Sequence, residues 1–240
     1  MKPETKDAAV AHALAALPRE SCGLVVVGRK GLERFAPCRN EHPGTDGFVL
    51  NPNDWAAAAD TGDIVGIVHS HPYGSPEPSQ IDRVSCERVG LPWHIVVVPE
   101  VSWTTLEPTG YRAPLIGREF THGVLDCYSL VRDAFAEKKG IDIPDFPRLD
   151  EWWHRGENLY LDNFEQAGFV VVSRNADGFV MQPFDCPLMQ LGSPVVNHAA
   201  VHLGDNIILH HIIRRLSCRE VYGGFWRHIT THIVRHRSLM

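Results

Sequence analysis

Apolar residues recur at Val10, Ala13, Leu14 and Leu17, a helical spacing that starts after Pro3 and stops at Pro18. Short apolar runs follow, bounded by Gly, Pro and Asn. "GLVVVG" (23–28), "ERFAPC" (33–38) and "GFVLN" (47–51) read as strands, and "NPNDWAAAAD" reads as a helix with Pro52 near its start. "DIVGIVHSH" reads as a buried strand, "SQIDRVSCERVG" as a helix and "WHIVVVPE" as a further strand. Alternation of these elements predicts an α/β unit over residues 1–108.

The stretch 107–119, "EPTGYRAPLIGRE", has two Pro, two Gly and no periodicity, so a linker is expected over 109–119. A second unit is expected over 120–240. "DCYSLVRDAFAEKKG" predicts a helix ended by Gly140, and "LDEWWHRGENLYLDNFEQAG" continues the helical pattern. Strands then follow in "FVVVSR", "GFVMQP" and "VVNHAAVHLGDNIILHHI". Helices first and strands afterwards is the order of an α+β domain.

The 240 residues are 44% hydrophobic, enough to build real cores, and the net charge is −6 with no long Lys/Arg cluster. That balance argues against a nucleic-acid partner. No apolar run approaches the ~20 residues that span a bilayer, so no membrane insertion is expected. The start, "MKPETKDAAVAHALAALPRE", is charged and amphipathic rather than signal-like, which predicts synthesis and retention in a cytoplasm. Six scattered cysteines without C-x-x-C pairs suggest buried thiols, not disulfides or a zinc ribbon.

Candidate chemistry concentrates in two places. Along "DIVGIVHSH" the side chains alternate, so His69 and His71 share one face of the strand and Ser70 takes the other. Asp82 follows just inside the next helix, where its carboxylate can reach the same ion. Two nitrogens and one oxygen with a free fourth position is the donor set of a catalytic zinc. The plain alternative is that Ser79 and Asp82 only cap their helix.

This H-x-H-x7-S-x2-D string, with Glu20 ahead of it in "PRESCGLVVVG", resembles the JAMM motif of the MPN-domain metallopeptidases. The resemblance covers residues 1–105 and implies an MPN-like sheet with flanking helices and a Zn2+ cofactor. His69, His71 and Asp82 are then the metal ligands, Glu20 accepts a proton from the zinc-bound water, and Ser79 supports the oxyanion. Cys22 stands near enough to Glu20 to be weighed as a fourth ligand, with a buried small residue as the preferred reading.

In the second unit, Asp126 reads as the N-cap of a helix beginning at Cys127, where unpaired backbone N–H groups favour a thiolate. The histidines His198, His202, His210 and His211 fall on an apparent hairpin around "GDN". The Asp-Cys pair and "NHAAVHLGDN" resemble the NlpC family of papain-like cell-wall endopeptidases. By that resemblance Cys127 is the nucleophile, His198 the base and His210 its orienting partner, with the Cys127 N–H in the oxyanion hole. A strict two-residue turn would put His211 on the His198 face instead, and His210 requires an odd loop or a bulge. Where the family often has an oxyanion tyrosine ahead of the cysteine, this chain has Phe120, with His122 nearby as a substitute. Trp152, Trp153 and Tyr160 read as packing of the helical layer, with a groove lining as the alternative; His232 and His236 are expected in a solvated tail.

The pairing of both units resembles the tail assembly protein K family of lambda-like siphophages, across nearly the whole sequence. That resemblance implies a virion tail-tip location after assembly in the host cytoplasm, other tail-tip and hub proteins as partners, and host peptidoglycan peptides as substrate. It implies a cysteine endopeptidase of peptidoglycan, joined to a zinc-dependent peptidase-like unit used in assembly. A non-catalytic tip component with idle sites and a cellular isopeptidase are the competing readings.

Overall fold

The computed structural model describes residues 1–149 and 151–240. They divide into two compact units, Met1–Arg112 and Ala113–Met240. The first is α/β and the second α+β.

In the first unit, α1 (Pro3–Ala16) precedes the strands β1 (Cys22–Gly28) and β2 (Glu33–Cys38), then α2 (Pro52–Ala59), β3 (Gly62–Pro72), α3 (Gln80–Val89), β4 (Trp93–Val98) and β5 (Ser102–Leu106). The sheet order is β2-β1-β3-β4-β5, and of its neighbouring pairs β3–β4 alone is parallel, the two strands being joined through the crossover helix α3. β3 is central in that order, and its stretch 66–70 is buried, with residues 71 and 72 half-buried. Helix α2 starts where expected, with Asn51 Oδ1 accepting from the N–H groups of Asn53 and Asp54.

One expectation fails here, and one strand is new. The segment 47–51 is not a strand and makes only an isolated bridge, Asn40 to Leu50. Gly47 sits at φ 132, and the Asn40 side chain binds both the Gly47 carbonyl and the Val49 N–H, so the backbone groups are satisfied as a loop. β5 is an additional strand that the sequence did not suggest, reached through a tight turn with Val101 at φ 55.

The second unit begins its regular structure with α4 (Cys127–Lys139), ended by Gly140 at φ 66 as anticipated. The long helix expected over 149–168 does not form. The stretch holds a 3-10 turn, Trp152–His154, and the short α5 (Leu159–Asn163), separated by Gly156 at φ 80; neither has a side-chain cap, and Asp150 lies outside the described residues.

Six strands follow: β6 (Phe169–Ser173), β7 (Cys186–Met189), β8 (His198–Gly204), β9 (Ile207–His210), β10 (Cys218–Val221) and β11 (Thr230–His236), with α6 (Gly224–His228) before the last. Their order is β10-β9-β8-β7-β11-β6. The strand expected at 178–183 is displaced to β7, because Pro183 and Phe184, the latter at φ 72, break the backbone ahead of it. The tail is not solvated: β11 lies between β6 and β7, and His236 is buried against Phe169 and Phe135. Helix α4 packs on this sheet through Leu130, Val131, Ala134 and Phe135, a stripe of i, i+1, i+4, i+5 spacing.

Candidate functional site

In the first unit, pleating brings His69 and His71 onto one face of β3 while Ser70 turns the other way, its Oγ accepting from the Ser21 N–H at 2.8 Å. The two Nε2 atoms face each other at 3.1 Å. Asp82, in the first turn of α3, completes the triangle, with Oδ1 3.3 Å from His69 Nε2 and Oδ2 3.5 Å from His71 Nε2. Three donors at about 2.0–2.2 Å around one tetrahedral ion stand roughly 3.3 Å apart, so these three residues fit a small divalent cation. The rings are held for it. His71 Nδ1–H donates to the Ser75 carbonyl at 2.7 Å, which leaves the Nε2 lone pair on the site, and the His69 ring is clamped between Phe48 and Trp93.

The capping reading and the ligand reading of Ser79 and Asp82 prove compatible. Ser79 Oγ donates to Asp82 Oδ2 at 2.7 Å and accepts from the Asp82 N–H at 3.2 Å, a reciprocal cap that also fixes the carboxylate beside the histidines. Burial pushes the Asp82 carboxyl up, but its bonds to His69 and His71 outweigh this and hold it well below the usual range. Glu20 lies within the same field. Burial raises its carboxyl to about 7, against the pull of His71 and with help from Asp82 and Asp46. It borders a groove of about 490 Å³ lined by His12, Arg19, Arg39 and Asn40. Cys22 stays outside, its thiol turned to the carbonyls of Cys38 and Arg39.

In the second unit, Asp126 caps α4 reciprocally with Ser129. Its carboxylate also takes the Gly123 N–H at 2.9 Å and Arg148 Nε at 2.8 Å, so the helix end that carries Cys127 is locked on three sides. Burial raises the Cys127 thiol to about 11, and Asp126 adds to the rise, so the resting sulfur is protonated. Its nearest polar partner is unexpected: the Tyr160 hydroxyl, at 3.1 Å.

The β8–β9 hairpin decides between His210 and His211. Asp205 and Asn206, both at positive φ, form the two-residue turn, yet a bulge between His202 and Gly204 shifts the register so that Ala200 faces His210. His198, Ala200 and His210 therefore share a face. His198 Nε2 lies 3.3 Å from His210 Nδ1, and His210 Nε2 lies 2.9 Å from Glu220 Oε2. His211 is buried on the opposite face, its ring 5.0 Å from that of Phe120, and His202 Nδ1–H donates to the Gln182 carbonyl. His122 is also spent elsewhere, on the Leu149 carbonyl and the Trp153 ring, so neither it nor Phe120 replaces the expected tyrosine.

Residues 2–106 match the family described as prokaryotic homologs of the JAB domain, and residues 117–235 match the NlpC/P60 family. A tail tip assembly protein K of Escherichia phage N15 is 43% identical over 242 residues, spanning 100% of this chain and 97% of its own length. The chain belongs to the tail tip assembly protein K family. A second member, from Escherichia phage lambda, is 44% identical over 189 residues, covering 79% of this chain and 90% of its own. Among solved structures, a JAB1/MPN domain protein from Archaeoglobus fulgidus is similar at 24% identity and TM-score 0.31, over 46% of this chain and 91% of that one.

Within this family member, three contributors escaped the sequence. Tyr160, read as packing of one long helix, comes from a five-residue helix instead, Glu220 comes from the strand that follows the hairpin, and Arg148 from an irregular stretch. Glu220 alone left a faint signal, the alternation of Cys218, Glu220 and Tyr222.

Proposed function

We propose that this chain is a tail-tip peptidase that cuts peptide amide bonds of host peptidoglycan through Cys127, His198 and His210, and that its first unit is a zinc-dependent peptidase-like domain used during tail assembly among other tip and hub proteins. The observation that carries this reading is the relay His198 Nε2–His210 Nδ1–Glu220, which has one consistent proton arrangement. Glu220 accepts from His210 Nε2–H, so His210 Nδ1 accepts from His198 Nε2–H, and the lone pair of His198 is left on Nδ1.

At rest the Cys127 thiol meets the Tyr160 hydroxyl, and the His198 ring lies against His210 and Trp226; in the proposed reaction His198 Nδ1 comes to take the thiol proton as the Cys127 sulfur bonds to the amide carbon. The N–H of Cys127 and the Tyr160 hydroxyl steady the tetrahedral oxyanion. As the C–N bond breaks, the same Nδ1 returns its proton to the leaving amine, and a water activated by His198 then releases the acyl group from sulfur. Burial holds His198 down to about 3 and raises Cys127 to about 11, so imidazole and thiol are both neutral at rest and the proton moves only as the sulfur–carbon bond forms.

In the first unit, His69, His71 and Asp82 would hold a zinc ion, which when bound supplies Lewis-acid chemistry and acidifies water. Ser79 fixes Asp82 through its cap, and Glu20 moves a proton between the attacking water and the leaving amine. A carboxyl raised to about 7 is suited to both halves of that transfer. Metal analysis tests the ligand set in a Cys218→Ser background, where the sulfur of the second donor group is removed: one equivalent of zinc is expected there, and its survival when His69→Ala and His71→Ala are added rules the set out.

A second reading, a tip component with an idle thiol, is favoured by one feature: Cys127 is only 8% exposed beneath Tyr160. Zymography on purified peptidoglycan separates the two. Clearing lost in Cys127→Ala supports the peptidase, and no clearing by the intact chain, with or without its tail partners, supports the idle component.

A further inference from the structure

The outer end of the histidine relay holds a second, unassigned set of metal donors. His210 and Cys218 are directly opposed across the β9–β10 ladder, and Glu220, two residues on from Cys218, projects from the same face. His210 Nε2 lies 3.7 Å from Cys218 Sγ and 2.9 Å from Glu220 Oε2, and one donor atom from each residue falls within 4.8 Å of the others. Cys218 is the one half-exposed cysteine of the six, the other five being buried, so solvent reaches this thiol. Glu220 is likewise open on its outer side, where Arg215 approaches it at 3.5 Å in an exposed and therefore weak pair.

We infer that His210, Cys218 and Glu220 form a binding site for a thiophilic divalent cation such as Zn2+, Co2+ or Cd2+, and that its occupancy sets the proton positions along the His198–His210 relay. The spacing suits such an ion. Around a tetrahedral zinc, an imidazole nitrogen and a thiolate sulfur stand about 3.6 Å apart, close to the observed 3.7 Å, and the nitrogen–oxygen pair needs only a few tenths of an ångström of opening. Thiolate, imidazole and carboxylate together prefer soft or borderline ions over Mg2+ or Ca2+.

Binding moves protons in a defined way. The Cys218 thiol releases its proton to solvent, and the ion replaces the Nε2–H of His210 that had bonded Glu220. The neutral His210 ring must then carry its proton on Nδ1 and donate to His198 Nε2. His198 can no longer donate there, so its own proton shifts to Nδ1, the nitrogen that takes up the thiol proton in the reaction proposed above. The ion thus turns the base into a donor from the back of the relay, without touching Cys127. That catalytic consequence rests on the peptidase reading, and the binding site itself does not.

The test uses the full chain freed of metal and titrated with Co2+. The first unit's donor set contains no sulfur, so a thiolate-to-cobalt absorption band reports the second unit alone. The band is expected to saturate by two ions per chain, the first unit's donors taking the other ion, to vanish in Cys218→Ser, and to require at least tenfold more Co2+ in Glu220→Gln, with circular dichroism checking that both variants stay folded. A band that persists in Cys218→Ser, or fails to appear in the parent, overturns the site. Proton positions are read by long-range 1H–15N spectra of the histidine rings with Zn2+ in place of Co2+. The His198 proton moving from Nε2 to Nδ1 supports the coupling, and an unchanged His198 tautomer at saturation overturns it. Neither readout depends on turnover, so an inactive peptidase and an empty metal site give different results.

Discussion

His198 Nε2 and His210 Nδ1 lie 3.3 Å apart across a hairpin whose turn, taken alone, would have placed His211 there. One bulged residue between His202 and Gly204 exchanges the two histidines between faces of the sheet. His210→Ala is accordingly expected to lower kcat on peptidoglycan peptides by about 10²-fold or more, since the base loses the group that fixes its tautomer. His211→Phe, on the far face beside Phe120, is expected to leave kcat largely unchanged. Equal losses in both variants would contradict the assignment.

Tyr160→Phe removes only the hydroxyl that stands 3.1 Å from the sulfur. If that hydroxyl stabilises the oxyanion, kcat falls by about 10²-fold with little change in KM, the size seen when one such donor is lost. A variant that keeps its kcat would reduce Tyr160 to a cap over the thiol.

Acid should weaken the second unit before it protonates the carboxylates. Burial holds His198 down to about 3 and His211 to about 4, from a usual 6.5. The unfolded chain therefore binds these protons first, and stability is lost as pH falls from about 6.5 toward 4, with His198 alone contributing roughly 1.4 kcal/mol per pH unit. Urea midpoints measured by fluorescence at pH 7 and pH 5 should drop, and His198→Asn should flatten the drop. An unchanged slope in that variant would assign the acid sensitivity to other groups.

The sequence carried a great deal of this because the decisive spacings are local. Two histidines one pleat apart and a cap residue three before Asp82 need only the strand and helix periods to converge, and Asp126 ahead of Cys127 needs only the geometry of a helix start. What stayed hidden depends on pairing between distant segments. Glu220 reaches His210 only because β10 joins β9 after a seven-residue connection, 211–217, and nothing in the alternation of residues 218–221 names its partner. Tyr160 was assigned to helical packing because apolar spacing over 149–168 suggests one long helix; Gly156 breaks that helix and swings the phenol onto the sulfur. The bulge is likewise invisible, since Leu203 and Gly204 do not differ in polarity pattern from a regular strand end.

The most direct measurement counts the chemical groups freed when the purified chain digests peptidoglycan. Cleavage of peptide amides by Cys127 releases new amino groups without new reducing sugar ends, and that release is abolished in Cys127→Ala and retained in His211→Phe. Amino groups released as fast by Cys127→Ala as by the intact chain, or reducing ends appearing in their place, would contradict the account.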